Sequence, residues 1–124
     1  MRTENVMYFT EKEEEFVNLL IEIGTKRNVA KVLVFLANVP EATSREIERG
    51  TDIRQPEVSI AMSYLMEEGW IKSRENKAEG QGRPFKIYEL AKPITGILDS
   101  IEMKKKEEAN NQLTHIRKLR DYIP

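Results

Sequence analysis

The chain has 124 residues, enough for one domain with an added helix for assembly. It is 40% hydrophobic and 33% charged with a net charge of −1, which argues against a uniformly basic nucleic-acid coat and makes charge distribution the informative quantity. With no cysteine and a single histidine, His115, a disulfide framework, a thiolate metal site, a cysteine nucleophile and a multi-histidine metal centre are excluded.

No run approaches the roughly 20 apolar residues that span a bilayer, and the acidic segment Met1–Glu15 lacks the apolar stretch of a signal peptide. The expectation is a cytoplasmic protein with no membrane partner. Nor is there a Ser–His–Asp order, a phosphate loop or a metal-ligand cluster, so neither an enzyme nor a cofactor is expected. Charge is unevenly placed. Residues 1–25 carry Arg2 and Lys12 against six glutamates, whereas residues 70–88 carry Lys72, Arg74, Lys77, Arg83 and Lys86 against Glu75 and Glu79.

Thr10 and Glu13 have capping-box spacing and open a first helix. Glu11, Glu13, Glu14 and Glu15 suit its positive end. Phe16, Leu19, Leu20 and Ile23 mark its apolar face, and Gly24 stops it. A second helix, Lys26–Asn38, is apolar round much of its circumference through Val29, Val32, Leu33, Phe35 and Leu36, as a central helix would be, and Val39-Pro40 ends it. Thr43 and Glu46 form a second capping box, opening a short helix with Ile47 inward and Gly50 at the left-handed exit position. The segment Gly50–Arg54 is a tight connection that Ile53 pins to the core.

A fourth helix begins near Gln55, with Pro56 at its first position. Val58, Ala61, Met62 and Leu65 face inward; Gln55, Glu57, Ser59, Ile60, Ser63 and Tyr64 face outward. It ends at Glu68-Gly69. The period then changes to two: Trp70–Arg74 reads as a strand, Asn76–Arg83 as a glycine-containing loop, and Phe85–Leu90 as a second strand, giving a β-hairpin. Trp70 and Tyr88 read as packing residues of that hairpin. A final helix of about 28 residues follows Pro93. Ile94, Ile97, Leu98, Ile101, Leu113, Ile116 and Leu119 make an interrupted apolar stripe on it, continued by Ile123, around the polar stretch Lys104–Asn111. The stripe is expected to be buried in a homodimer through this helix, with the N-terminal helix a further candidate. Lys104, Lys105 and Lys106 read as a solvated face, with a second DNA contact as the alternative, and His115 as a surface residue.

The fold class is therefore mostly α with a small β-hairpin: residues 1–91 form a winged helix-turn-helix domain and residues 92–124 a C-terminal helix. A short helix, a tight turn and a second helix with small polar residues outward make a helix-turn-helix, and the hairpin directly after it makes the wing.

The stretch Thr43–Ile71, TSREIERGTDIRQPEVSIAMSYLMEEGWI, resembles the core of winged-helix transcription regulators of the MarR and TrmB families. The resemblance rests on Val58-Ser59 early in the fourth helix, on Leu65 and Glu67-Glu68-Gly69 at its end, on the strand start Trp70-Ile71-Lys72, and on Gly82-Arg83-Pro84 with Tyr88 and Leu90 in the wing. It covers about residues 27–91 and implies sequence-specific binding of double-stranded DNA by a dimer.

The residue chemistry agrees with that implication. Gln55 can pair with adenine, and Arg54 can reach guanine or phosphate. Ser59 and Ser63 are short donors, while Ile60 fits either a thymine methyl or a neighbouring helix. Thr43 and Ser44 can donate to phosphate from a helix N-terminus. Arg74, Lys77 and Lys86 face the backbone from the wing, and Arg83 reaches the minor groove or a phosphate. Glu57 departs from the pattern, because a groove-facing carboxylate repels phosphate unless it accepts from cytosine N4. A winged helix serving only as a protein-interaction module is the alternative reading. An effector, if one binds, has room between the final helix and the core, and nothing in the sequence identifies it.

Overall fold

The structure is a computed structural model that describes residues 9–77 and 84–124. Among those residues the order is α1 (Glu11–Glu22), α2 (Arg27–Asn38), β1 (Ala42–Thr43), α3 (Ser44–Thr51), α4 (Gln55–Glu67), β2 (Ile71–Lys77), β3 (Pro84–Leu90) and α5 (Ile94–Asp121). The chain divides into two compact units, Met1–Lys92 and Pro93–Pro124. No helix among the described residues is long and apolar enough to cross a membrane.

Both capping boxes form. The backbone N–H of Glu13 donates to Thr10 Oγ1 at 3.2 Å and that of Thr10 to Glu13 Oε1 at 2.9 Å; Glu46 and Thr43 repeat the exchange at 3.2 and 2.9 Å. Each box satisfies two of the N–H groups that a helix start leaves open. The C-terminus of α4 is closed by a Schellman motif: Trp70 N–H donates to Leu65 carbonyl and Gly69 N–H to Met66 carbonyl, both at 3.0 Å. This needs a left-handed residue at Gly69, whose φ is +78°. Trp70 and Leu65, the pair the motif brings together, are both buried. The same two bonds close α1, from Thr25 to Leu20 and from Gly24 to Ile21.

The core of the first unit is built around α2, where Val29, Ala30 and the unbroken run Val32–Leu36 are buried. It packs against α1, α3, α4 and β3. On α1 the buried residues are Val17 and Leu20. This corrects the sequence reading, which placed Leu19 and Ile23 inward; both are exposed. A helix resting on one neighbour buries a narrow stripe, and α2 selects the side that carries Val17.

The helix-turn-helix corner also differs from expectation. α3 does not turn out at Gly50; it continues to Thr51, and Asp52 takes the left-handed conformation with φ 58° and ψ 40°. Aspartate tolerates this region better than most side chains. Gly50 is instead a point of close approach, because a Cβ there would lie 2.2 Å from Phe35 Cε1. Ile53 is buried and pins the turn as expected. Pro56 is the second residue of α4 rather than the first, still within the turn whose N–H groups lack helical partners.

The sheet has three strands among the described residues, in the order β1-β3-β2 and antiparallel throughout. The sequence reading had only the hairpin. β1 pairs Ala42 with Tyr88 and Thr43 with Ile87, so the start of α3 is fastened to the wing. The hairpin register runs from Ile71 opposite Leu90 to Lys77 opposite Pro84, so β2 continues three residues past Arg74. Ala91 N–H donates to Trp70 carbonyl at 2.8 Å and closes the hairpin base. Burial fades outward along it, from Ile71 and Ile87 to the exposed Phe85.

In the second unit α5 is a 28-residue helix, about 42 Å long at 1.5 Å per residue. Ile97 and Ile101 are its buried residues, Ile94 and Leu98 are half-buried, and every residue from 102 to 124 is exposed. The polar middle holds exposed pairs, Lys106–Glu102 at 3.4 Å and Lys105–Glu108 at 3.5 Å.

Candidate nucleic-acid interface

Helix α4 separates its two faces cleanly. Val58, Ala61, Met62 and Leu65 are buried, while Gln55, Glu57, Ser59, Ile60, Ser63 and Tyr64 are exposed. The 3.6-residue period dictates this division once the first set is committed to α2. Ile60 is 71% exposed, a large apolar side chain held in solvent beside two serines. Tyr64 meets Trp70 edge-on, with ring centroids 6.2 Å apart and an interplanar angle of 82°. Trp70 itself is buried, as its packing role required.

Arg54 stands exposed at the N-cap of α4, and Gln55 follows in the first turn. Ser44 Oγ donates to Gln55 Oε1 at 3.1 Å, joining the first turns of the two helices of the motif. The Nε2 donors and one lone pair of Gln55 Oε1 stay available to a base edge. Thr43 holds its hydroxyl oxygen against Glu46 N–H, and its own N–H is given to Glu46. The start of α3 is thus organised by its cap before any phosphate approaches.

Ile60 and Glu57 also have neighbours outside the motif. With Ala61 they line a shallow groove of about 330 Å³ whose far wall is Lys26, Arg27, Asn28 and Val29 at the start of α2. Two cations therefore flank the surface on which Glu57 sits. Lys26 and Arg27 were not singled out in the sequence, although their position at a helix start was visible there.

The wing is less cationic than its composition. Arg74 donates to Glu41 in an ion pair that joins β2 to the residue before β1. Lys72 lies 3.8 Å from Glu89, its cross-strand partner. Lys86 is exposed and forms no ion pair among the described residues. The Lys77 side chain and Arg83 lie outside the described residues.

The sequence reading also passed over Arg45 and Arg49. With Glu48, Asp52, Ile53 and Arg54 they line an open depression of about 720 Å³ at the α3–α4 corner. Their four-residue spacing on a short helix was the available signal. Of the stripe assigned to assembly, Ile97 and Ile101 are already buried in the single chain, leaving Leu113, Ile116 and Leu119 at 51%, 44% and 64% exposure. Among the described residues no three His, Cys, Asp or Glu side chains are grouped to hold a metal.

Residues 23–82 match the family model described as the MarR family. No curated protein matches the sequence. Among solved structures the chain is similar to a possible transcriptional regulator from Methanosarcina mazei Go1, at 15% identity over 90% of this chain and 98% of that one, with a TM-score of 0.60. It is also similar to NMB1585, a MarR family regulator from Neisseria meningitidis, at 18% identity over 89% of this chain and 84% of that one, with a TM-score of 0.50. At these identities the likeness is one of fold. The matched segment is just under half of the chain and runs from the end of α1 into the hairpin; over those residues the chain is similar to the MarR family, and the two solved structures share its fold.

Proposed function

We propose that the chain is a transcription regulator that binds specific double-stranded DNA as a homodimer, in the cytoplasm and without catalysing a reaction. The observation that carries this reading is the exposed face of α4. Arg54 and Gln55 stand at its N-terminus, Ser59 and Ser63 one turn apart along it, and the hairpin follows at once. A recognition helix presents its N-terminal residues to base edges in the major groove. Short serines let the helix backbone approach closely, and Ile60 meets a thymine methyl. Ser44 shares Gln55 with the base and supports its orientation. Thr43, Lys86, Lys77 and Arg83 contact the backbone, the last from the wing tip, and Arg74 does so once released from Glu41. The dimer forms through the exposed part of the α5 stripe, Leu113, Ile116 and Leu119, which is too apolar to leave in water along a whole helix face. Two modest half-site contacts then combine into one useful affinity.

The test is selection of bound duplexes from a random pool at low salt, followed by fluorescence titration of the recovered sequence. Recovery of a two-fold symmetric site, with a Gln55→Ala variant preferring a different base at one position per half-site, supports the reading. No enrichment and no binding at micromolar protein overturns it.

A further inference from the structure

The backbone of Gln55 is fixed, and its exposed amide is the part free to meet a partner. Gln55 is the first residue of α4, with the cap Arg54 before it and Pro56 after it; proline holds the following φ to a narrow range. The buried Ile53 anchors the turn that leads into the helix. A free carboxamide turns readily about its last bond, so its oxygen and nitrogen exchange places at little cost. The two ends are chemically opposite, one an acceptor and the other a double donor. One contact tells them apart here. Ser44 Oγ donates to Gln55 Oε1 at 3.1 Å, between positions 11 apart in sequence. Ser44 is the first residue of α3, whose start is held by the Thr43–Glu46 capping box. The hydroxyl therefore acts from a firmly placed residue. It keeps the amide oxygen on the α3 side and leaves the second lone pair of Oε1 and both N–H groups open.

We propose that Ser44 is a positioning residue that makes Gln55 read adenine and refuse guanine, a step that rests on the DNA-binding reading and adds the base to it. Adenine offers a donor at N6 beside an acceptor at N7, and a glutamine meets it with Oε1 on N6 and Nε2 on N7. Guanine offers two acceptors, O6 and N7, at the same places. An amide held in the adenine order sets Oε1 against guanine O6, oxygen against oxygen with no proton between them. To bind guanine it has to turn its nitrogen toward O6, and that turn breaks the bond to Ser44. Without the serine hydroxyl the same turn has no bond to break. Ser44 thus acts on the choice between two purines, from outside the groove face of α4, and leaves the contacts to phosphate as they are.

The experiment uses the full chain and the duplex recovered by selection. The position whose preference changes in Gln55→Ala marks the base pair concerned, and a second duplex carries guanine there in place of adenine. Both duplexes are titrated with the wild type, Ser44→Ala and Ser44→Thr at one salt concentration, and urea unfolding confirms that the variants are folded. The wild type is expected to favour the adenine duplex by roughly 5- to 150-fold, the range of a bidentate contact. A neutral hydrogen bond is worth about fivefold, so Ser44→Ala is expected to cut that preference about fivefold, mainly by binding the guanine duplex more tightly. Ser44→Thr keeps a hydroxyl and is expected to keep the preference. Equal weakening of both duplexes by Ser44→Ala assigns the hydroxyl to a phosphate and overturns the proposal. An unchanged ratio overturns it too, as does a wild type that prefers another base at that position. If Gln55→Ala alters no position, the Ser44 assignment fails while the DNA reading stands. If no duplex is enriched at all, both fail.

Discussion

Replacing Gly50 by alanine sets two effects of opposite sign against each other. Gly50 lies within α3, and glycine inside a helix is less favourable than alanine by roughly 0.5–1 kcal/mol, so helix propensity alone favours the substitution. Packing opposes it. A Cβ on Gly50 would lie 2.2, 2.7 and 2.8 Å from three ring carbons of Phe35, against an optimum of about 3.5–4.0 Å between carbons. The ring has little room to yield, because Phe35 is 4% exposed within the buried run of α2. Overpacking a closed core costs about 1–3 kcal/mol, and a clash with three ring atoms belongs at the upper end. Setting about 3 against about 1 leaves a net destabilisation of about 2 kcal/mol for Gly50→Ala. Urea unfolding followed by circular dichroism reads it as a lower midpoint with an unchanged slope. A Phe35→Leu change makes space, so the double variant is expected to lose less than the sum of the two single losses. A raised midpoint for Gly50→Ala, or strict additivity in the double variant, refutes the close-approach argument.

Thr43→Ala removes the acceptor for Glu46 N–H and is expected to lower stability by about 1 kcal/mol, with Thr43→Ser retaining most of it; the same urea titration decides. Glu41→Gln frees the Arg74 guanidinium. Because an exposed pair contributes at most about 1 kcal/mol, stability should scarcely change, while the salt slope of DNA binding steepens by up to about 0.9; an unaltered slope means that Arg74 does not reach a phosphate. Ile116→Glu with Leu119→Glu places charge on the exposed α5 stripe. Sedimentation equilibrium is expected to show the wild type as a dimer and this variant as a monomer, and equal masses argue against assembly through that stripe.

What the sequence disclosed and what it withheld divide by the range of the interaction. The capping boxes at Thr10 and Thr43 join residues three apart, and the Schellman closure at Gly69 spans a single turn, so side-chain type at fixed spacing was sufficient. The two faces of α4 followed from period alone. β1 was not legible, because Ala42 and Thr43 become a strand only by pairing with Tyr88 and Ile87, and two residues carry no period. Gly50 misled for a related reason. Its purpose is set by Phe35 on another helix, while the left-handed turn was taken by Asp52. The choice of Val17 over Leu19 on α1 likewise belongs to α2. At the interface, residue types on α4 were readable, whereas the Arg74–Glu41 pair joins positions 33 apart and left no local trace. Arg45 and Arg49 were readable as a spaced pair, but nothing at their own positions says that Asp52 and Arg54 share their depression.

Pairing changes how the charge of this molecule bears on the proposed DNA binding. By composition the wing held the positive charge, yet Lys72 and Arg74 meet carboxylates there. A paired cation that moves to a phosphate must leave its carboxylate behind, so it gains less than a free one. Among the described residues Arg45, Arg49 and Arg54 form no ion pair. A net charge of −1 is therefore no obstacle to binding a polyanion, since some of the acids are taken up in ion pairs within the sheet region and, separately, within α5. If the chain binds DNA as proposed, its affinity depends less on net charge than on how many cations stay unpaired on the face that meets the backbone.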